Sequence, residues 1–201
     1  MKRAAKAALL AALVFAALFA TTPWAAKSVH AAAKPSTGEP LVYASPVEIL
    51  FSPDGARLYI LCQQSNEVRV LNATTYKSIA VVAVGRVPRG FALSPDGSRL
   101  FVANSWDDTV SVIDTRSLRV TATWPVSAEP SSVAQDPAGH FLFVANRISN
   151  DVAVLDARTG TEVKRLAAGR GASYMTLSPD GRRLYVTHVY PTLPDHASEA
   201  G

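Results

Sequence analysis

A Ser-Pro-Asp-Gly phrase, Asp-Pro-Ala-Gly in its third copy, recurs along this chain at a fixed step, and two residues separate each copy from a Leu and an aromatic. Its prolines are Pro53, Pro95, Pro137 and Pro179, each 42 residues beyond the last. Gly55, Gly97, Gly139 and Gly181 keep that step, as do Leu58, Leu100, Leu142 and Leu184, and Tyr59, Phe101, Phe143 and Tyr185. Further along, Leu71, Ile113 and Leu155 match, each followed by Asn or Asp. A period kept through three steps without insertion predicts one structural unit used repeatedly.

The unit beginning near Arg89 reads as four strands. "GFALS" is short and apolar, and "SPDG" supplies turn chemistry, with Pro presetting φ. "RLFVAN" is rich in β formers, "SWDD" is polar, "TVSVID" alternates, "TRSL" turns, and "RVTATWPV" alternates again. Four strands in about 42 residues is the size of a β-propeller blade. A lone sheet of this kind has two apolar faces, and stacking blades around an axis buries both. The prediction is an all-β fold, a β-propeller of about three and a half four-stranded blades forming an incomplete ring.

The phrases "SPDGSRLFVANSWDDTVSVID" and "RLYVTH" resemble the YVTN family of β-propeller repeats, over about Tyr43 to His188. That resemblance implies a ring of seven blades in closed members, or about 290 residues at this period. It also implies that the first strand of each blade is innermost, with binding loops at one end.

Units are expected to begin near Val47, Arg89, Ser131 and Ser173. The fourth yields two strands before "PTLPDHASEAG". Three explanations stand: a piece of a longer propeller, closure by another chain, or an open stack. Open blade edges also predict self-association. The expected boundaries are a signal peptide over 1–31, cleaved after 31 or 33, a linker over 32–41, the partial propeller over 42–190, and coil over 191–201 that starts an interrupted loop.

The signal rests on Lys2, Arg3 and Lys6 before the apolar run Ala7–Ala20, followed by small residues. The run is short for a membrane span, and cleavage would remove it and leave no span; the alternative is an uncleaved N-terminal anchor. The formal charge of +4 belongs to this segment: cleavage after 31 removes four basic residues and leaves 20 − 4 = 16 Lys and Arg against 16 Asp and Glu. A neutral remainder gives no electrostatic source for nucleic-acid binding. Export to a periplasmic or extracellular space is expected. Cys62 is the single cysteine, so no internal disulfide and no Cys-x-x-Cys-His haem attachment can form; within "LYILC" it reads as buried and inert.

No Ser-His-Asp signature, phosphate loop or His-Glu-x-x-His motif is found, and no catalytic residue or cofactor is implied. The candidate ligand-binding residues lie on the loops that the resemblance assigns to the binding end: Arg86, Arg89, Trp106, Arg147 and Arg170. Arg86, Arg89 and Arg170 would form an anion-binding ring, or else be solvated loop charges. Trp106 is either an exposed anchor or packing between blades. His188 and His196, with Asp195, are weak metal candidates. His140 is expected in an exposed turn. The aspartates of the repeated turns, with Asp114 and Asp156, read as turn formers rather than calcium ligands. Asn72 to Thr74 matches a glycan-acceptor pattern at a turn.

The function expected is that of an exported binding module for a protein, glycan or small ligand. The alternative is part of a propeller enzyme, lactonase-like or a quinone- or haem-dependent dehydrogenase or reductase, as the family resemblance allows.

Overall fold

A computed structural model describes residues 44–190. The expected signal peptide (1–31), linker (32–41) and coil (191–201), with Asp195 and His196, lie outside the described residues. Blade 1 is β1 (Pro46–Phe51), β2 (Arg57–Cys62), β3 (Glu67–Asn72) and β4 (Ser78–Ala83). Blade 2 is β5 (Pro88–Leu93), β6 (Arg99–Asn104), β7 (Thr109–Asp114) and β8 (Arg119–Pro125). Blade 3 is β9 (Pro130–Gln135), β10 (Phe141–Asn146), β11 (Asp151–Asp156) and β12 (Glu162–Ala167). β13 (Ala172–Leu177) and β14 (Leu184–His188) pair as a two-stranded fourth unit.

Each blade is an antiparallel meander whose strands lie in chain order. The first strands start at Pro46, Pro88, Pro130 and Ala172, one residue before the expected unit starts. Proline suits that place because the first residue of a strand can do without a ladder N–H. These first strands also contact one another, β1 with β5, β5 with β9 and β9 with β13, so they line the common axis.

Adjacent residues of β6 show how the stack is held. Leu100 joins the core between blades 1 and 2, with Tyr59, Leu61, Val68 and Phe91. Its neighbour Phe101 joins the core between blades 2 and 3, with Trp124, Val133, Leu142 and Val144. Both side chains are fully buried, each worth about 1.5–3 kcal/mol relative to exposure. Successive strand residues point to opposite faces, so one β-strand serves two interfaces.

The repeated turns also stack. Ser52 Oγ donates to Asp54 Oδ1, which accepts from the Ala56 N–H at 3.0 Å, and Ser52 Oγ accepts from the Arg57 N–H at 2.9 Å. The same bonds form from Ser94 and Ser178. In blade 3, Asp136 takes the serine's place and accepts from the Phe141 N–H. Gly97 has φ +70°, and a Cβ there would stand 2.8 Å from Cδ of Pro53 in the preceding blade. Proline and glycine therefore share a period because one blade's proline lies on the next blade's glycine.

The ring does not close among the described residues. Ile49 is 55% exposed, whereas Phe91 and Val133 at the same repeat position are 3% and 6% exposed. At the other end Tyr185 is exposed, whereas Tyr59 and Phe101 are buried. The first face of blade 1 and the last face of the fourth unit lack the neighbour that every interior face has.

Candidate functional site

The entry loops before each first strand meet the turns between second and third strands through a repeated backbone seam. The Ser105 N–H donates to the Val87 carbonyl, the Arg147 N–H to Glu129, and the Val189 N–H to Gly171; next to it, the Trp106 N–H donates to Arg86 and the Ile148 N–H to Ala128. A side-chain staple accompanies it. Asn66 Oδ1 accepts from the Val87 N–H at 2.8 Å, Asp108 Oδ1 from Glu129 at 2.9 Å, and Asn150 Oδ1 from Gly171 at 2.9 Å. Asn66, Asp108 and Asn150 have φ of 54°, 54° and 58°. Asn and Asp tolerate this left-handed region and carry an acceptor on a short arm, which explains their recurrence. Reading by sequence missed the staple, although the 42-residue register aligns its members.

The arginines on this loop end fall into two groups. Arg86 Nε donates to Asp107 Oδ1 at 2.5 Å and its Nη2 to the Trp106 carbonyl at 3.1 Å. The Arg86 N–H and then its guanidinium hold the Asp107 carboxyl below the usual carboxylate range. Arg147 pairs with Glu129, so the polarity of loop and turn is reversed from one blade to the next. Arg170 is exposed, and it makes no ion pair among the described residues. Arg89 is half-buried on β5, its Nε without a hydrogen-bond partner. Arg86 and Arg147 are thus engaged in joining loops, and their charges are matched.

Trp106 faces solvent rather than an adjoining blade. It is 62% exposed, Ile148 at the same turn position of blade 3 is 53% exposed, and Tyr190 in the fourth unit is 48% exposed. Gln64 holds the position in blade 1. Three successive units present a large apolar or aromatic tip at one turn position. Of the three, Trp106 alone stood out in sequence; Ile148 lay in the candidate loop "NRISND" and Tyr190 at the end of the expected strand "RRLYVTHVY".

His188 ends β14 and lies against Gly169, where a Cβ would meet its Nε2 at 2.8 Å. No group of three or more His, Cys, Asp or Glu side chains is placed to hold a metal among the described residues. Asp54, Asp96 and Asp180 serve their turns, as do Asp114 and Asp156. Asn72 Oδ1 accepts from the Thr74 and Thr75 N–H groups. His140 is exposed and Cys62 is buried. One acidic group emerges that the sequence did not flag: Glu48, on innermost β1, accepts from the Phe91 N–H at 3.0 Å. Burial raises its pKa.

A family described as lactonase, 7-bladed beta-propeller, matches residues 27–119. Among solved structures, the chain is similar to Kuenenia stuttgartiensis hydrazine synthase, at 32% identity and a TM-score of 0.68, over 71% of this chain and 42% of that one. The described residues form part of a β-propeller. The chain spans less than half of that hydrazine synthase chain. Solved chains that match number 1212, and a fold so widely shared leaves chemistry to be argued from the site. Curated proteins give no match.

Proposed function

We propose that this chain is an exported YVTN-type β-propeller repeat protein that works as a binding module through its loop end. The observation that carries the reading is the arc Trp106, Ile148 and Tyr190. Large side chains left in water at one repeat position have no packing role, and exposed aromatics are efficient anchors for a partner. The stapled loops beneath keep the arc in place, which lowers the ordering cost of binding. Export rests on the basic, apolar and small-residue order of the first 31 residues.

The test uses a photo-crosslinking residue at position 106, with position 76 as control. Tyr76 is equally open to solvent but lies on the turn between β3 and β4, at the opposite end of the blade. Adducts formed in the producing cell at 106 and not at 76 are expected. Adducts at neither position, or equally at both, contradict the reading.

A second reading, a portion of a propeller enzyme, is favoured by the lactonase-family match. Glu48 is then the candidate acid, because it sits half-buried on an axial strand. Hydrolysis of a γ-lactone by the full chain, abolished in Glu48→Gln, supports this reading; hydrolysis unchanged in that variant removes Glu48 from it.

A further inference from the structure

The cleft between the loops of blades 1 and 2 has a composition of its own. It encloses ≈ 400 Å³ beside Ser45, Gln63, Gln64, Asn66, Arg86 and Trp106. That volume lies in the range of small-ligand sites. Ser45 Oγ donates to Gln64 Oε1 at 3.1 Å, which fixes that amide, and the Gln64 NH2 makes no hydrogen bond among the described residues. Asn66 spends its carbonyl on the Val87 N–H, and its NH2 makes no hydrogen bond among the described residues. The Gln63 amide and the Trp106 indole N–H make no hydrogen bond among the described residues. Asp107 matches the charge of Arg86. The cleft therefore offers one broad aromatic face, several amide N–H donors and no net charge.

From this we infer that the cleft binds a neutral saccharide, an inference that rests on the loop-end binding reading. A pyranose has hydroxyls that accept from amide N–H groups and donate to the Gln63 carbonyl. Its C–H face is apolar and covers an indole, while the indole's polar edge stays available for a hydroxyl. An anionic ligand lacks an unmatched cation here, since the guanidinium at the cleft already holds Asp107. A purely apolar ligand would strip water from the open amides without replacing their bonds, which costs free energy.

The experiment is affinity electrophoresis of the full chain in gels containing glycol chitin, laminarin, xylan or soluble starch, with alginate and heparin as anionic probes. At least one neutral polysaccharide retards the protein. Trp106→Ala weakens that retardation by about tenfold or more, as expected for an anchor. Trp106→Phe keeps most of it, because the ring face remains. Tyr76→Ala leaves it unchanged. Trp106 is exposed, so these variants fold, and their mobility in plain gels checks this. Retardation by none of the neutral polymers, by the anionic ones alone, or equally for Trp106→Ala overturns the saccharide inference. Crosslinking at position 106 to a protein, with no polysaccharide retardation, overturns this inference while leaving the loop-end reading intact.

Discussion

Asn104, at the end of β6, closes over Gly85 in the loop that joins blades 1 and 2. Its Oδ1 accepts from the Gly85 N–H at 3.1 Å, and its Nδ2 donates to Thr109 Oγ1 at 3.0 Å and Ser111 Oγ at 2.9 Å. A Cβ at position 85 would stand 2.6 Å from Asn104 Cγ. One fully buried amide at the end of β6 thus ties a loop between blades to β7. Asn104→Leu keeps the volume and leaves the Gly85 N–H unpaired in the interior. A loss of about 3 kcal/mol is expected, read as a lower urea midpoint at unchanged slope.

Gly55 and Gly97 separate backbone strain from packing. Their φ values are 69° and 70°, so alanine strains both equally. A Cβ at Gly55 meets nothing within 4 Å, whereas one at Gly97 meets Pro53. Gly97→Ala is expected to cost about 1–3 kcal/mol more than Gly55→Ala in urea unfolding, the usual range for overpacking. Equal costs would show that the Pro53 contact contributes nothing.

The staple from Asp108 to Glu129 is a single hydrogen bond between neighbouring units. Asp108→Ala removes the acceptor from that backbone N–H. Exchange of the Glu129 amide should speed up by about tenfold, while exchange at Val87 and Gly171 should hold, because their acceptors are Asn66 and Asn150.

Two acidic groups give opposite pH trends. The pKa of Asp96 is lowered to about 2, first by the Ser94 hydroxyl, then by the backbone and side chain of Ser98. A depressed folded-state pKa stabilises above the unfolded value of 3.8, and that contribution fades as pH falls from 3.8 towards about 2. The stability of wild type relative to Asp96→Asn should shrink across that window. Glu48 runs the other way, because burial raises its pKa and thereby favours the protonated form. Its contribution is greatest below 4.5 and is lost as pH rises. Glu48→Gln keeps an acceptor for the Phe91 N–H, so its stability relative to wild type should rise from pH 4 to neutrality.

The blades were legible because their signals are local. Turn residues and alternation each depend on a few neighbours in sequence, and the 42-residue step repeats them, so strand starts were placed within one residue at Pro46, Pro88, Pro130 and Ala172. The loop end was less legible because side-chain direction there depends on contacts across blades. A tryptophan in a turn reads alike whether it packs or faces water, and Trp106 is decided by the seam that turns it outward. Arg86 and Arg147 read as free cations until the fold brought Asp107 and Glu129 to them from 21 and 18 residues away. Arg57 and Arg99 were unremarkable in sequence, yet each donates to the next blade, at the Thr115 and Ala157 carbonyls. Phe141 holds that position in blade 3 and cannot donate.

On the loop-end binding reading, Trp106, Ile148 and Tyr190 form one surface that a partner covers in use. Cys62 is buried, so variants carrying one added cysteine can be labelled with a maleimide while Cys62 stays silent. In purified protein, Trp106→Cys, Ile148→Cys, Tyr190→Cys and the control Tyr76→Cys should all label at the rate of an open thiol. In intact producing cells, the first three should be protected together while Tyr76→Cys still labels. Free labelling of all four in cells, or protection at position 76 alone, would rule out binding through this loop end.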